Sequence, residues 1–213
     1  HFNTEGASRI LSGEPLVGEP YTSPVGSHPV LASFPYMPLE ALVRAPFLLL
    51  FGDVRYAGAA ALAAAYFIVL RLGQVKGWER PLPDLLAALV LVQGDSLYVI
   101  ERAWSEPLLV PLLAGALLAH ATGRLPLMAV LLGLTAAARF WMGPVLIALA
   151  AMVGFRWRLL GLAAGTYLAT IVPFAWRDPL AWLEGSVLLH ARLPPRVDGA
   201  TFAALASRIG WRW

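Results

Sequence analysis

Apolar stretches close to the length of a bilayer crossing recur along this chain, cut from one another by arginine, tryptophan and glycine-proline breaks. The clearest are Tyr56–Leu70, Leu85–Ile100 with Asp95 inside it, Pro107–Gly123, Leu125–Ala138, Phe140–Gly154 and Leu159–Trp176. A membrane-crossing helix needs about 17–25 mostly apolar residues, and these stretches approach that length once flanking Arg, Trp and Tyr side chains reach the interface. Six of them leave little room for a separate soluble domain. The expected fold class is therefore all-α, a multi-pass transmembrane helix bundle with juxtamembrane helices. Composition agrees: charged residues make up 14% and hydrophobic ones 59%, against about 25% and 45–50% in soluble domains.

The division along the chain follows from where the apolar pattern stops. Residues 1–38 carry Pro15, Pro20, Pro24, Pro29, Pro35 and Pro38 among Gly, Ser and Glu, and are expected to form an outer loop, irregular or with short helical turns. Residues 39–52 are apolar but hold Glu40, Arg44 and Pro46, which fits a juxtamembrane or short membrane helix better than the bilayer centre. Residues 53–177 form the transmembrane core of about six spans, and residues 178–213 an outer loop with a juxtamembrane helix. The chain begins at His1, shows no signal peptide, and stops at Trp213; both ends are expected to be cuts in a longer protein. Without cysteine, neither a disulfide framework nor a thiolate metal site is available.

The net charge of +3 rests on arginine, with Lys76 the only lysine. It is spread between the apolar spans rather than gathered into a block, which argues against nucleic acid as a partner and for membrane topology. If the spans alternate, one set of loops holds Arg71, Lys76, Arg80, Arg124, Arg156 and Arg158 against only Glu79 and Asp84. The other mixes signs: Asp53, Arg55, Glu101, Arg102, Glu106, Arg139, Arg177, Asp178, His190 and Arg196. Positive charge concentrates in cytoplasmic loops, so the first set is assigned to the cytoplasm and the second to the outer side of a cell (inner or plasma) membrane.

Among the polar residues, Asp95, Tyr98, Arg102 and Glu106 recur on one helical stripe. Ionisable groups within a span mark functional sites or buried ion pairs. Arg139 stands where one short span ends, before Gly143-Pro144, a fixed cation suited to bidentate contact with phosphate oxygens; the plainer alternative is an interfacial arginine beside Trp141. No HExxH, GxSxG, Walker or paired-cysteine motif occurs, so soluble hydrolase, zinc peptidase and NTP-driven chemistry find no support.

Taken in order, several short motifs resemble those of the polytopic membrane glycosyltransferases of the GT-C class, such as mannosyltransferases and aminoarabinose transferases. Gly6 to Pro15 followed by Tyr21 is similar to the family's first outer loop. Phe34-Pro-Tyr-Met-Pro38-Leu resembles its "Y-x-P-L" helix entry, and Leu50-Phe-Gly-Asp53-Val-Arg55 its "G-D-x-R" turn. Arg102-Ala-Trp-Ser-Glu106-Pro resembles an Arg-then-acid helix opening, Gly133 to Arg139 resembles "G-L-x-x-x-x-K" with Arg in place of Lys, and Asp178-Pro to Arg196 and Asp198 resembles the loop after the shared core.

The resemblance implies transfer of a sugar from a polyprenyl-phosphate donor to a lipid or glycan acceptor at the outer face, with inversion and with help from a carboxylate or a divalent metal (Mg or Mn). It implies catalytic roles for Glu106 and Asp53, with Glu106 also the metal ligand. Donor-phosphate contacts fall to Arg55, Arg102, Arg139, His190 and Arg196, and sugar stacking to Tyr21 and Tyr36. The family's catalytic Asp follows its first helix, whereas no Asp precedes Asp53 here, which places the expected base upstream of His1. A transporter or lipid flippase, and a non-catalytic membrane subunit, are the alternatives from other classes.

Overall fold

The computed structural model describes residues 2–17, 21–22, 29–31, 34, 36–92, 100, 106–139 and 156–188. These residues are mainly helical. The segment expected as an irregular loop departs from that expectation at its start, where α1 runs over Phe2–Ser12. The prolines that signalled a loop begin only at Pro15; before them Glu5 and Arg9 pair across one turn at 2.9 Å, which favours helix. Gly13, at φ 72°, ends α1 in the left-handed region open to glycine. Two short strands, β1 (Tyr21–Thr22) and β2 (Pro29–Leu31), then pair antiparallel.

Helix α2 spans Pro38–Phe51, with proline in its first turn and Gly52, at φ 70°, closing it. Pro38 fixes a helical φ where no N–H partner is needed. The buried residues Ala41, Arg44 and Ala45 follow the spacing of one helix face, and that face packs on α1 and on the bundle. Leu49, Leu50 and Phe51 at the far end stand exposed.

Beyond Gly52 the chain builds a bundle. Helix α3 (Arg55–Lys76) is about 33 Å long and turns back through Gly77 into α4 (Leu82–Val92). The hairpin is tight: a Cβ on Gly73 would lie 2.4 Å from Pro83. Helix α5 (Glu106–Ala121) packs along α3, and a second tight turn at Gly123 leads into α6 (Leu125–Ala138). Helix α7 (Trp157–Ala175) packs on α6 so closely that a Cβ on Gly133 would come within 2.4 Å of the Ala163 carbonyl oxygen. Such approach through small residues is typical of helices packed in membranes. Asp178 then caps α8 (Pro179–Leu183) by accepting from the Ala181 N–H at 2.9 Å, and a wide π-type turn, Glu184–Leu188, follows.

The contacts fix the relative directions of these helices. Gly58 near the start of α3 faces Pro107 at the start of α5, so the two run parallel. Leu159 at the start of α7 packs with Met128 and Leu132, while Tyr167 packs with Ala137 and Ala138, so α6 and α7 are parallel too. One end of the bundle therefore gathers the starts of α3 and α5 and the ends of α6 and α7, with α1 and α2 laid against it. The opposite end holds Arg71, Lys76, Arg124, Arg156 and Arg158. Among the described residues, charges from the two expected loop sets fall at opposite ends of the bundle.

Among the described residues two helices, α3 and α7, are long and apolar enough to cross a membrane. Helices α4, α5 and α6 are apolar but shorter, about 16–24 Å as described, so six full-length crossings are not reproduced. The second half of Leu85–Ile100 up to residue 99, the stretch expected over Phe140–Gly154, and residues 189–213 of the last outer loop lie outside the described residues.

Candidate functional site

Four charged side chains meet where α2 crosses the bundle end. Glu40 and Arg44, one turn apart on α2, are 0% and 2% exposed, and the Arg44 Nε donates to Glu40 Oε2 at 3.3 Å. Arg44 reaches on with Nη1 to the Val54 carbonyl at 3.2 Å, tying α2 to the turn that opens α3. From the bundle, Arg139 at the C-terminal cap of α6 donates through Nη2 to Glu106 Oε1 at 2.6 Å. Its guanidinium also lies over the Tyr36 ring, 5.4 Å from the centroid, within cation-π range.

The two pairs act on each other electrically. Burial pushes the Glu40 carboxyl up to about 7, against the pull of Arg44 and Arg139 and with help from Glu106. Burial also raises the Tyr36 hydroxyl, with Arg139 opposing. The hydrogen bonding is incomplete as well: among the described residues, no partner reaches Glu40 Oε1, Glu106 Oε2 or Arg139 Nε, all shielded from solvent. Buried polar atoms left open in this way are uncommon. A narrow crevice lined by Glu40, Val43, Arg44, Ala57, Gly58 and Leu108 leads between α2, α3 and α5.

Of the residues picked out in the sequence, Glu106, Arg139 and Tyr36 come together here. The Asp53–Arg55 turn joins the cluster only indirectly, through the Arg44 bond to Val54. Asp53 accepts from the Arg55 N–H at 2.8 Å and from its Nε at 2.7 Å, and this bonding holds its carboxyl below the usual range. Asp53, expected as a catalytic group, thus sits in a surface turn beside Arg55. Tyr21 is corrected: the ring is 0% exposed, stacked near Phe34 and covered by Arg9 at 4.0 Å, and its hydroxyl donates to the Leu16 carbonyl. Its faces are filled, so it is a core residue and not a sugar platform. Arg102, His190 and Arg196, with Asp95, Tyr98 and Asp198, lie outside the described residues.

Glu40 and Arg44 were missed as site residues because charges on a short apolar helix read as a reason to keep it out of the bilayer. Their i, i+4 spacing on the face occupied by Ala41 and Ala45 was the available signal. A third unforeseen member is Ser186, whose buried hydroxyl lies 3.4 and 3.3 Å from the Phe34 and Tyr36 carbonyl oxygens and holds the segment that carries Tyr36.

The described residues of this cluster do not by themselves make a divalent-metal site. Each carboxylate faces an arginine, which repels a cation, and among the described residues no group of three or more His, Cys, Asp or Glu converges. Compared with known families, curated proteins and solved structures, the chain matches none.

Proposed function

We propose that this chain is the core of a polytopic membrane glycosyltransferase that moves a sugar from a polyprenyl-phosphate donor to an acceptor on the outer face of a cell membrane. One observation carries the reading: Arg139 bridges Glu106 and Tyr36 at the bundle end where Glu40 and Arg44 are also held. A cation fixed at a helix end beside an aromatic face suits a phosphate bearing a sugar.

Membrane placement draws support from the outer surfaces of the longest helices. Only 28% of the apolar window of α3 and 6% of that of α7 is buried within the protein, which leaves most of each apolar surface facing outward, as a bilayer crossing requires. Trp157 and Trp176, 79% and 80% exposed, bracket α7 about 28 Å apart, near the thickness of a hydrocarbon core and in the manner of interfacial aromatic anchors. The shorter α4, α5 and α6 complete the bundle as further crossings, and the end rich in arginine and lysine faces the cytoplasm.

In the reaction the acceptor oxygen bonds to the anomeric carbon as the bond from that carbon to the lipid phosphate oxygen breaks. The acceptor proton passes to a carboxylate. Arg139 balances the charge that grows on the leaving phosphate, and Glu106 sets the guanidinium in place. Removing one such charge-stabilising donor costs about 10²–10³ in rate. The test is transfer from radiolabelled polyprenyl-phosphate sugars in membranes containing the full protein. Transfer that falls by that factor in Arg139→Ala supports the reading; transfer from none of the mannose, glucose and aminoarabinose donors sinks it. Cysteines placed at Arg124 and Arg139 check the sides: outside labelling at 139 and not at 124 is expected, and the reverse inverts the topology.

A further inference from the structure

The bundle end balances its charges only when nothing is bound. Arg44 and Arg139 offset Glu40 and Glu106, and the pairs are closed at 3.3 and 2.6 Å. With all four groups ionised, an anion added to Arg139 leaves the cluster with one negative charge too many, and at Glu40, which is wholly buried, that charge is weakly screened. The Oε1 atom of Glu40, without a partner among the described residues, is positioned to take a proton.

We propose that, above neutral pH, this cluster takes up a proton on Glu40 when it binds a phosphodiester anion. The inference rests on reading the cluster as an anion site and holds with or without sugar transfer. The proton comes from solvent, bonds to a Glu40 carboxylate oxygen and makes it neutral. Arg44, Arg139, Glu106 and the anion then sum to zero. A phosphodiester is the fitting class because it carries a single negative charge throughout the neutral range, as does a lipid phosphate esterified to a sugar.

The surroundings allow Glu40 to be the group that titrates. On its own helix it faces Arg44; from α6 comes Arg139, from α5 Glu106, and from the preceding segment Tyr36. On the other elements packed against α2, Glu5 pairs with Arg9 on α1, Asp53 with Arg55 at the start of α3, and α7 adds Tyr167 to the adjoining apolar cluster. Glu40 already sits at about 7 without a ligand, chiefly through burial, and a second anion nearby raises it further. The sign follows: binding is tightest below that value and weakens as pH rises through it.

Isothermal titration of the full chain in detergent micelles with dimethyl phosphate and with dihexyl phosphate, at pH 6 and pH 8, tests this. The expected result is roughly tenfold weaker binding at pH 8, the ratio of protonated fractions for a group near neutrality. Repeating the pH 8 titration in buffers of different ionisation heat should show close to one proton taken up per anion. Binding by dihexyl phosphate alone assigns the anion to a lipid; binding by both assigns it to the phosphodiester group itself. In Glu40→Gln the pH dependence and the proton uptake disappear while binding persists. Equal affinity at the two pH values, no proton uptake, or an unchanged slope in Glu40→Gln overturns the proposal, and the uptake measurement on the unaltered protein decides even where that variant fails to fold. Proton-linked binding without sugar transfer defeats the enzyme reading and leaves this one standing; transfer with pH-independent binding does the opposite.

Discussion

Two acid-arginine pairs flank the same turn, and their surroundings make them opposites. Asp53 and Arg55 lie at the surface, where the carboxyl is held below its usual range by hydrogen bonds from Arg55. Glu40 and Arg44 lie inside, where loss of water outweighs the arginine and the carboxyl is pushed up to about 7. The same two kinds of residue thus give a clasp whose carboxyl is held below its usual range in one place and one pushed well above it in the other. Burial, not residue type, decides which.

The sharpest way to break this contrast is to remove each arginine in turn. Arg44→Ala leaves Glu40 buried without its main partner and should cost about 3–5 kcal/mol, whereas Arg55→Ala should cost under about 1 kcal/mol; unfolding followed in mixed micelles would read both. Comparable losses would show that the two sites are not electrostatically distinct.

Acid titration separates them next. A carboxyl whose folded value is raised lends stability that is present below its unfolded value, near 4.5, and is lost as pH climbs through 7. From Glu40 this amounts to on the order of 3 kcal/mol, so the thermal midpoint should fall between pH 5 and pH 8, and Glu40→Gln should flatten that fall. Asp53 works the other way, its stabilisation being lost only as pH drops below the ordinary carboxylate range. A midpoint that does not change between pH 5 and 8 in the unaltered protein would contradict the burial argument.

A smaller effect tests whether the bundle itself holds the buried pair. Gly133→Ala forces the α6–α7 contact apart and should cost about 1–3 kcal/mol; Gly165→Ala, with open space around it, should change stability little. If the strained crossing props up the site, the first variant should also lower the apparent pKa of Glu40, as read from the pH dependence of the midpoint, and the second should leave it alone.

The helical character was legible in the sequence, because apolar length acts locally. The sequence did not foretell α1, whose Glu5–Arg9 pair was overlooked among the loop signals that begin at Pro15. Nor did it reveal the fate of Tyr21, which depends on Arg9 and Phe34 closing over it. The candidate site was half visible. Glu106 and Arg139 were picked out singly, but their pairing joins the start of one helix to the end of the next, a contact that no periodicity encodes. Glu40 and Arg44 were read only as charges, since their burial is a property of the α1 and bundle surfaces laid over them.

Glu106 opens α5 and Arg139 closes α6, so each charge sits on the helix end whose backbone dipole has the opposite sign. That placement matters most when the pair opens. A carboxylate pulled away from Arg139 still has the positive N-terminus of its own helix, and a guanidinium pulled away from Glu106 still has the negative C-terminus of its own. The backbone therefore holds each partner when the other leaves, and the ion pair can work as a door with both leaves separately hinged.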